Sequence, residues 1–282
     1  MTKDTLLLVD GHNLLFQMFF GMPARIVNAD GKAIQGTLGF VGALIRMIKM
    51  IAPTHLVVLF DGEQENARSE LLPEYKANRP DYSTIPEEET PFSQLEDIYC
   101  ALDFMGIKHT ECIGVEADDV IAGYARTYGS QMDMVIASWD SDFFQLINDH
   151  VSILRYRGRG TTLCDTSWLR EKYDISPAQY ADFKSLTGDA ADNIKGAEKI
   201  GPKTAARLLH QFGNLETLLQ HQTEIQRPSW REAVTKHAGH LQVNYQLIKL
   251  SGDAPLPFPL EQLAYRYDNV STTEVLIGIH LK

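Results

Sequence analysis

Cysteine is scarce in this 282-residue chain, which contains only Cys100, Cys112 and Cys164. An odd number of widely spaced cysteines indicates neither a disulfide framework nor a zinc site, so we expect buried free thiols. Long apolar runs are also lacking, because stretches such as residues 6–9 and 56–60 are far too short to span a bilayer and are typical of buried strands. An acid at position 10 precedes any signal-peptide core, and we expect a cytoplasmic protein.

Basic residues are outnumbered, with 26 Lys and Arg against 37 Asp and Glu, for a formal net charge of −11. Such a balance argues against a phosphate-binding surface, which is usually basic. The objection weakens if many acids are gathered around metal ions, because a smaller basic patch then suffices for nucleic acid. The 44% hydrophobic content suits a packed core of one large or two modest domains.

The first 165 residues alternate short aliphatic runs with longer helical stretches, a pattern typical of a mostly parallel α/β sheet. A helix is predicted over residues 37–51, and strands are predicted at 5–9, 55–60, 107–111, 134–137 and 151–154. After residue 165 strand signals fade, and helices are predicted at 167–172, 177–186, 203–211, 215–220 and 230–237. We therefore expect an α/β domain over residues 1–165 and a helical domain over 166–282.

Several acids follow predicted strands directly or closely. Taken singly they are ordinary: Asp10, Asp61 and Asp189 each adjoin a glycine and could lie in turns, and Asp140 could cap a helix. Taken together they differ, because the carboxyl ends of parallel strands share one crevice. The acids expected to converge there are Asp10, Asp61, Glu116, Asp118, Asp119, Asp140 and Asp142.

Such a cluster requires counterions, since like charges about 4 Å apart repel by roughly 4 kcal/mol per pair near a protein surface. Oxygen ligands without nearby His or Cys favour Mg²⁺, with Mn²⁺ as a substitute, over zinc. Two ions about 3.5–4 Å apart are common at sites of phosphodiester cleavage. The pattern therefore predicts a site for two or more divalent ions.

The chain closely resembles the bacterial and phage 5′→3′ exonuclease/flap endonuclease family, including the 5′-nuclease domain of bacterial DNA polymerase I. Each motif is weak alone, but their common order over residues 5–250 is specific. The motifs are Val9-Asp10-Gly11, Phe60-Asp61-Gly62, Leu72-Pro73-Glu74-Tyr75-Lys76-Ala77-Asn78-Arg79-Pro80, Gly114-Val115-Glu116-Ala117-Asp118-Asp119, Asp140-Ser141-Asp142 and Gly188-Asp189-Ala190-Ala191-Asp192-Asn193.

The resemblance implies an α/β nuclease core with a helical arch at residues 63–91, and a helical C-terminal domain containing a helix-three-turn-helix module. It adds Asp189 and Asp192 to the metal ligands of the second ion. In the arch, Lys76 and Arg79 are implied to neutralise the scissile phosphate, and Tyr75 to stack on a base. The alternative for this segment is a solvated basic loop. No polymerase portion follows, so a stand-alone, monomeric member is expected.

The helix-three-turn-helix module is expected at about residues 186–212, where Gly196 to Ala205 resembles the hairpin that grips duplex backbone. Gly201 would admit a phosphate to the free amides of the next helix, while Lys199 and Lys203 add charge. A plain helix-packing unit is the alternative. The resemblance also implies a K⁺ ion on main-chain carbonyls, here those of Leu186, Thr187, Lys195, Ala197 and Ile200.

Two positions depart from the family pattern. Gln17 stands where the family usually has arginine, which removes one expected phosphate or backbone contact. Trp139 replaces a small glycine beside Asp140, and we expect it to pack against the arch rather than stack on DNA.

The resemblance implies a nuclease that hydrolyses branched or 5′-ended DNA, with RNA-primed ends included, to give 5′-phosphate and 3′-hydroxyl ends. Two alternatives belong to other classes: a structure-specific DNA-binding protein that has lost hydrolysis, and an RNA-cleaving nuclease of compact α/β type. The intact acids and Lys76 argue against the first, and the hairpin and arch argue against the second.

Overall fold

The computed structural model describes residues 4–22, 24–62, 72, 74–78 and 80–281. Its sheet has five parallel strands: β1 (Thr5–Asp10), β2 (His55–Asp61), β3 (Lys108–Cys112), β4 (Asp133–Ala137) and β5 (Val151–Arg155). A short antiparallel strand, β6 (Thr162–Cys164), extends one edge, and the strand order is β3-β2-β1-β4-β5-β6. The predicted parallel sheet is confirmed, and β6 was missed because three residues carry too short a pattern to detect.

Among the described residues of the first half, the α-helices are α1 (Gly11–Gly21), α2 (Gln35–Ile51), α3 (Leu95–Phe104) and α4 (Ala117–Tyr128). Alternate residues of β1 enter opposite layers, since Leu6 and Leu8 pack with α4 while Leu7 and Val9 pack with α1 and α2. Helices thus cover both faces of the sheet, as parallel strands require.

The second half is helical, with α5 (Thr166–Tyr173), α6 (Tyr180–Thr187), α7 (Pro202–Phe212), α8 (Leu215–Gln220), α9 (Pro228–Ile248) and α10 (Thr272–Gly278). Between α6 and α7 a two-stranded hairpin joins β7 (Gly188–Asp189) to β8 (Ile194–Lys195). One continuous cluster of buried side chains extends from β1 at Leu6 to α9 at Leu241, so the sheet and the helical half share a core.

Two sequence expectations are tested by burial and helix length. Cys112 and Cys164 are buried, but Cys100 is exposed on α3, so the prediction of three buried thiols is wrong for that one. Across the described ranges, no helix combines the length and apolar character needed to cross a bilayer.

The segment predicted as a helical arch, residues 63–91, is described only at 72, 74–78 and 80–91. These residues form a turn at 74–78 and short 3-10 helices at Tyr82–Thr84 and Glu87–Glu89. Residues 63–71, 73 and 79 lie outside the described residues, so the helical arch and the position of Arg79 remain predictions.

Candidate metal and nucleic-acid site

A cavity of about 430 Å³ opens at the carboxyl edge of the sheet. Strand order explains its position, because β3, β2, β1 and β4 are neighbours and each is followed at this edge by an acidic residue or segment. Five of the predicted acids line it: Asp10, Asp61, Glu116, Asp118 and Asp140.

Hydrogen bonds hold the acids of the central strands in place. Asp10 caps α1 by accepting from the backbone N of Asn13 at 3.1 Å, and its other oxygen accepts from Ser138 Oγ at 2.8 Å. Asp61 Oδ1 accepts from the backbone N of Ala117 at 2.8 Å, which ties the end of β2 to the start of α4. Each carboxylate is therefore oriented before any ligand binds.

The glycines after these two aspartates are required by close packing. A Cβ atom on Gly11 would lie 2.4 Å from the Phe60 ring, and one on Gly62 would lie 2.5 Å from the Cys112 carbonyl oxygen. Asp10 ends β1 and Gly11 begins α1, while Asp61 ends β2 and Gly62 follows it. The two Asp-Gly pairs therefore mark strand ends and are not explained by turns. The glycines let the neighbouring elements approach closely at the ends of the strands.

The acids form two groups of three. Within each group, the carboxylate oxygens that could bind an ion all lie within 4.8 Å of one another. The first carboxylate group is Glu116, Asp118 and Asp119, and the second is Asp142, Asp189 and Asp192. Asp119 Oδ1 also accepts from the backbone N of Ser251 at 2.9 Å, and Asp119 does not line the cavity. Asp140 connects the groups, because it lines the cavity and its Oδ1 accepts from the backbone N of Asp142 at 2.8 Å.

Burial makes three of the carboxylates, those of Asp10, Asp140 and Asp142, reluctant to ionise. Desolvation, together with the charge of Asp61, raises the pKa of Asp10 to about 8. Desolvation also raises the pKa of Asp140, and it raises that of Asp142 well above its usual range, with the Asp140 charge adding to the effect. Since the groups repel one another when charged, the site favours a cation that stabilises the ionised forms.

Replacing Asp10 by Asn is expected to stabilise the protein in EDTA at pH 8. The native carboxyl, with its pKa raised from 3.8 to about 8, keeps a proton that the unfolded chain has lost, so stability falls as pH rises through that interval. Asparagine removes this cost, and its carbonyl oxygen can still accept from the backbone N of Asn13 while its amide NH2 can donate to Ser138 Oγ. We expect a gain on the order of 2 kcal/mol, or roughly 5 °C in Tm.

Differential scanning calorimetry from pH 5 to pH 8 measures this gain. It should grow with pH, while Asp103→Asn, at a carboxylate whose side chain is 79% exposed, should show no trend. An Asp10→Asn variant no more stable than the parent at pH 8 would contradict the burial argument.

Lys76 reaches into the cavity from the partly described segment. Its backbone has φ of 59°, its N donates to the Asp192 carbonyl at 3.0 Å, and its Nζ lies 2.6 Å from Glu116 Oε1. The backbone bond ties this residue to the second carboxylate group, while the ammonium pairs with the first. Lys76 is thus placed among the acids of both groups.

Tyr75 does not occupy the position expected of a base-stacking residue. Its side chain is 7% exposed and packs with Ala181, Ile194, Leu247 and Ile248, while Lys76 Nζ lies 4.7 Å from its ring centroid. A ring buried between α6 and α9 presents no face to a base. Here it anchors the segment to the helical half.

The predicted hairpin surrounds the start of α7. Lys199, Gly201 and Lys203 are exposed, while the nearby Ala197 and Ile200 are buried and fix the loop. Pro202 is the first residue of α7, and space is open around the Gly201 Cα. A backbone phosphate can therefore approach the helix N-terminus and both lysines.

The five carbonyls named for potassium lie in this same region, and three of them already accept hydrogen bonds. The Lys195 carbonyl accepts from Asn244 Nδ2 at 2.8 Å and makes a 2.8 Å contact with His240 Nε2. The Leu186 carbonyl accepts from Ala197 N, and the Ala197 carbonyl from Ile200 N. These bonds hold β7, β8 and the following loop together.

Sequence reasoning missed several residues that support the site. His12 Nδ1 accepts from the backbone N of Asp61 at 3.1 Å, and burial lowers the pKa of this histidine, which favours its neutral form. Ser138 Oγ bridges Asp10 and the backbone N of Asp140. Their closeness to Asp10 and Asp140 in the chain was the available signal, but only the fold shows which atoms they contact.

The two departures from the family pattern meet at one atom. Gln17 Nε2 and Trp139 Nε1 both donate to the Tyr156 carbonyl, at 2.6 and 2.9 Å. The Trp139 ring also packs against Arg155 and Arg157, whose guanidinium carbons lie 5.3 and 5.9 Å from its ring centroid. These packing contacts lie at and just after the end of β5. Packing against the arch stays a prediction, because much of that segment lies outside the described residues.

Comparisons with known proteins agree with this architecture. The family model described as 5′-3′ exonuclease, N-terminal resolvase-like domain, matches residues 5–174, and that described as 5′-3′ exonuclease, C-terminal SAM fold, matches residues 175–271. A bacteriophage T5 flap endonuclease structure shares the fold, with a TM-score of 0.71 and 23% identity over 98% of this chain and 99% of that chain.

Curated relatives are more similar in sequence. A 5′-3′ exonuclease of Streptomyces coelicolor is 34% identical over 89% of this chain and 87% of its own length. The thermostable DNA polymerase I of Thermus thermophilus is 34% identical over 92% of this chain, which spans 30% of the length of that polymerase. Both domain models match the chain, and the Streptomyces relative is similar to it over most of its length. The chain therefore belongs to the 5′-3′ exonuclease family of nucleases.

Proposed function

We propose that this protein is a structure-specific 5′ nuclease that hydrolyses branched or 5′-ended DNA with the help of divalent metal ions. The observation that carries the proposal is the convergence of two carboxylate groups and Lys76 at the carboxyl edge of the sheet. The T5 relative with the same fold is described as a complex with DNA and metal ions. What supports metal and DNA binding at the site of this protein is the fold that it shares with the T5 relative.

The residues fit divalent cations by an observation independent of the relatives. Asp142 is 7% exposed, and its buried Oδ1 accepts no hydrogen bond among the described residues. The raised pKa values show in addition that ionised carboxylates are unfavourable here unless a cation compensates their charge. The oxygen-only donor set favours Mg²⁺, with Mn²⁺ as a substitute.

In this proposal Asp10, Asp61, Glu116, Asp118 and Asp140 hold the first ion, and Asp142, Asp189 and Asp192 hold the second, with Asp119 nearby. When bound, such ions lower the pKa of water and stabilise charge on the attacking and leaving oxygens of a phosphodiester. The chain itself orients the carboxylates through Ser138 and Ala117, and it supplies Lys76 beside them. Lys76 and Arg79 are proposed to neutralise the scissile phosphate. Hydrolysis is proposed to leave 5′-phosphate and 3′-hydroxyl ends.

The duplex is proposed to lie on the hairpin before α7, where Lys199, Gly201 and Lys203 face solvent. This grip contacts phosphates and reads no bases, so recognition depends on the structure of the DNA. We further propose a K⁺ ion near the β7–β8 carbonyls, action as a monomer on replicating or repaired DNA in the cytoplasm, and acceptance of RNA-primed ends.

Cleavage of three labelled DNAs in Mg²⁺, a 5′ flap, a nick and a flap with a blocked 5′ end, tests the proposal. Products mapped to the nucleotide should show cutting near the junction of the free flap and much less of the blocked flap, because the 5′ strand must pass the arch. Matched DNA and RNA flaps separate this activity from an RNA nuclease. Tight flap binding without turnover in Mg²⁺ would indicate a binding protein instead.

Lys203→Ala is expected to weaken binding to duplex DNA of any sequence. One phosphate contact releases about 0.9 counterion, so the slope of log K against log salt should become shallower by nearly one. Fluorescence anisotropy in Ca²⁺ at several salt concentrations measures both effects. Lys236→Ala, an exposed lysine paired with Glu198, is the matched control, and an unchanged slope for Lys203→Ala would count against the hairpin assignment.

A further inference from the structure

Lys184 is a buried cation inside the second carboxylate group. It projects from α6 with its side chain 11% exposed, and its Nζ bonds to Asp189 Oδ2. The same Nζ lies 3.2 Å from Ser141 Oγ and 3.9 Å from Asp142 Oδ1. The ammonium is therefore held by two of the three carboxylates that could hold an ion.

The partner carboxylates are as buried as the lysine. The side chains of Asp142 and Asp189 are 10% and 11% exposed, and Asp142 Oδ1 lies 3.9 Å from Nζ without accepting a hydrogen bond from any described residue. By contrast, the surface pair of Lys236 with Glu198 has side chains 60% and 67% exposed. Burial makes the charge of Lys184 matter more to its neighbours than that of a surface lysine.

We propose that the Lys184 ammonium is an internal counterion of the second carboxylate group, which a divalent ion must displace in order to bind there. The inference rests on the proposed metal-dependent function but concerns only this group. The ammonium lies against Asp142 and Asp189, where a divalent ion held by these two carboxylates would also lie. The two cations would repel each other at that distance, so the carboxylates cannot hold both at once. Lys184 thus weakens the second ion relative to the first.

Displacement also explains how the group persists without an ion. Three carboxylates within 4.8 Å would repel one another strongly, and one ammonium offsets part of that charge. A divalent ion offsets more of it and binds the oxygens directly. Because the second divalent ion must displace the ammonium, it binds more weakly than the first. Occupancy of the second metal site therefore varies with ion concentration over a range in which the first metal site is already occupied.

Calorimetric titration with Mn²⁺, without DNA, tests the proposal on the full chain. The parent should show one tight and one weaker ion. Lys184→Met should bind the second ion at least about tenfold more tightly, a change of 1.4 kcal/mol per tenfold. Lys184→Arg, which keeps the charge, and Lys236→Met, at the surface pair, should both leave the second affinity near that of the parent.

A second readout separates this role from plain structural support. In EDTA the Tm of Lys184→Met should fall, because the carboxylates lose their counterion, and Mn²⁺ should raise it by more than it raises that of the parent. If Lys184→Met does not fold, Lys184→Gln serves, since its amide can still donate to Ser141. A folded neutral variant that binds the second ion no more tightly than the parent overturns the proposal.

The outcome is distinguishable from failure of the proposed function. A parent that binds no divalent ion and cleaves no flap in Mg²⁺ would overturn both claims. A parent that binds two ions and cleaves, beside a neutral variant with unchanged second-ion affinity, would overturn only the exchange at Lys184.

Discussion

Replacing Asp140 by Asn is expected to abolish cleavage of a 5′ flap while leaving the protein folded and able to bind DNA. Asp140 lines the cavity and connects the two carboxylate groups, so its charge is needed where the ions are proposed to act. Asparagine keeps a carbonyl oxygen to accept from the backbone N of Asp142. We expect the single-turnover rate in Mg²⁺ to fall by at least about a thousandfold.

Binding of the same flap, measured by anisotropy in Ca²⁺, should change by no more than a few fold, because the proposed grip lies on the α7 hairpin. Asp133→Asn is the matched control: it is the first residue of β4, the strand that precedes Asp140, and lies at the opposite edge of the sheet. Its rate should be close to that of the parent. Near-parental turnover by Asp140→Asn would show that the first metal site has been assigned to the wrong residues.

Lys76→Ala is expected to reduce the single-turnover rate on a saturating flap by at least about tenfold, and by up to a hundredfold. The physical reason is that a cation aimed at charge developing on the phosphate lowers the barrier more than it strengthens ground-state binding. The dissociation constant in Ca²⁺ should change by only a few fold. Arg79→Ala is expected to behave in the same way.

Lys76 also pairs with Glu116 at 2.6 Å, so its loss has a second effect to separate. A metal titration of Lys76→Ala distinguishes them, because a lost phosphate contact leaves ion affinity unchanged, whereas a freed Glu116 alters it. Lys203→Ala, at the proposed grip, should show the opposite pattern of weakened binding and a preserved rate at saturation. Loss of affinity alone in Lys76→Ala would make this segment a docking surface.

The sheet could be predicted because aliphatic runs mark the parallel strands β1, β2, β4 and β5 well. The convergence of Asp10, Asp61 and Asp140 follows from the topology, since parallel neighbours end at one edge. The acids at Asp189 and Asp192 could not be derived this way. They follow α6 in the helical half, and only the resemblance to the nuclease family suggested them.

Side-chain partners were beyond sequence reasoning. Nothing in the pattern of α6 indicates that Lys184 is buried against Asp189, because lysine usually lies on a helix surface. The burial of Tyr75 was equally hidden, since the other buried residues of its cluster come from α6, β8 and α9, more than 100 positions away. Motifs identify which residues matter, whereas long-range packing decides what each contacts.

The Tyr156 carbonyl has two lone pairs, and Gln17 and Trp139 use both. Gln17 and Trp139 consequently need to be substituted together, although 122 positions separate them. Engineering the family arginine at position 17 while keeping the tryptophan would place a longer, charged guanidinium donor beside the indole at that oxygen. A graft between this protein and its relatives should therefore carry both positions, together with the chain just after β5, or neither.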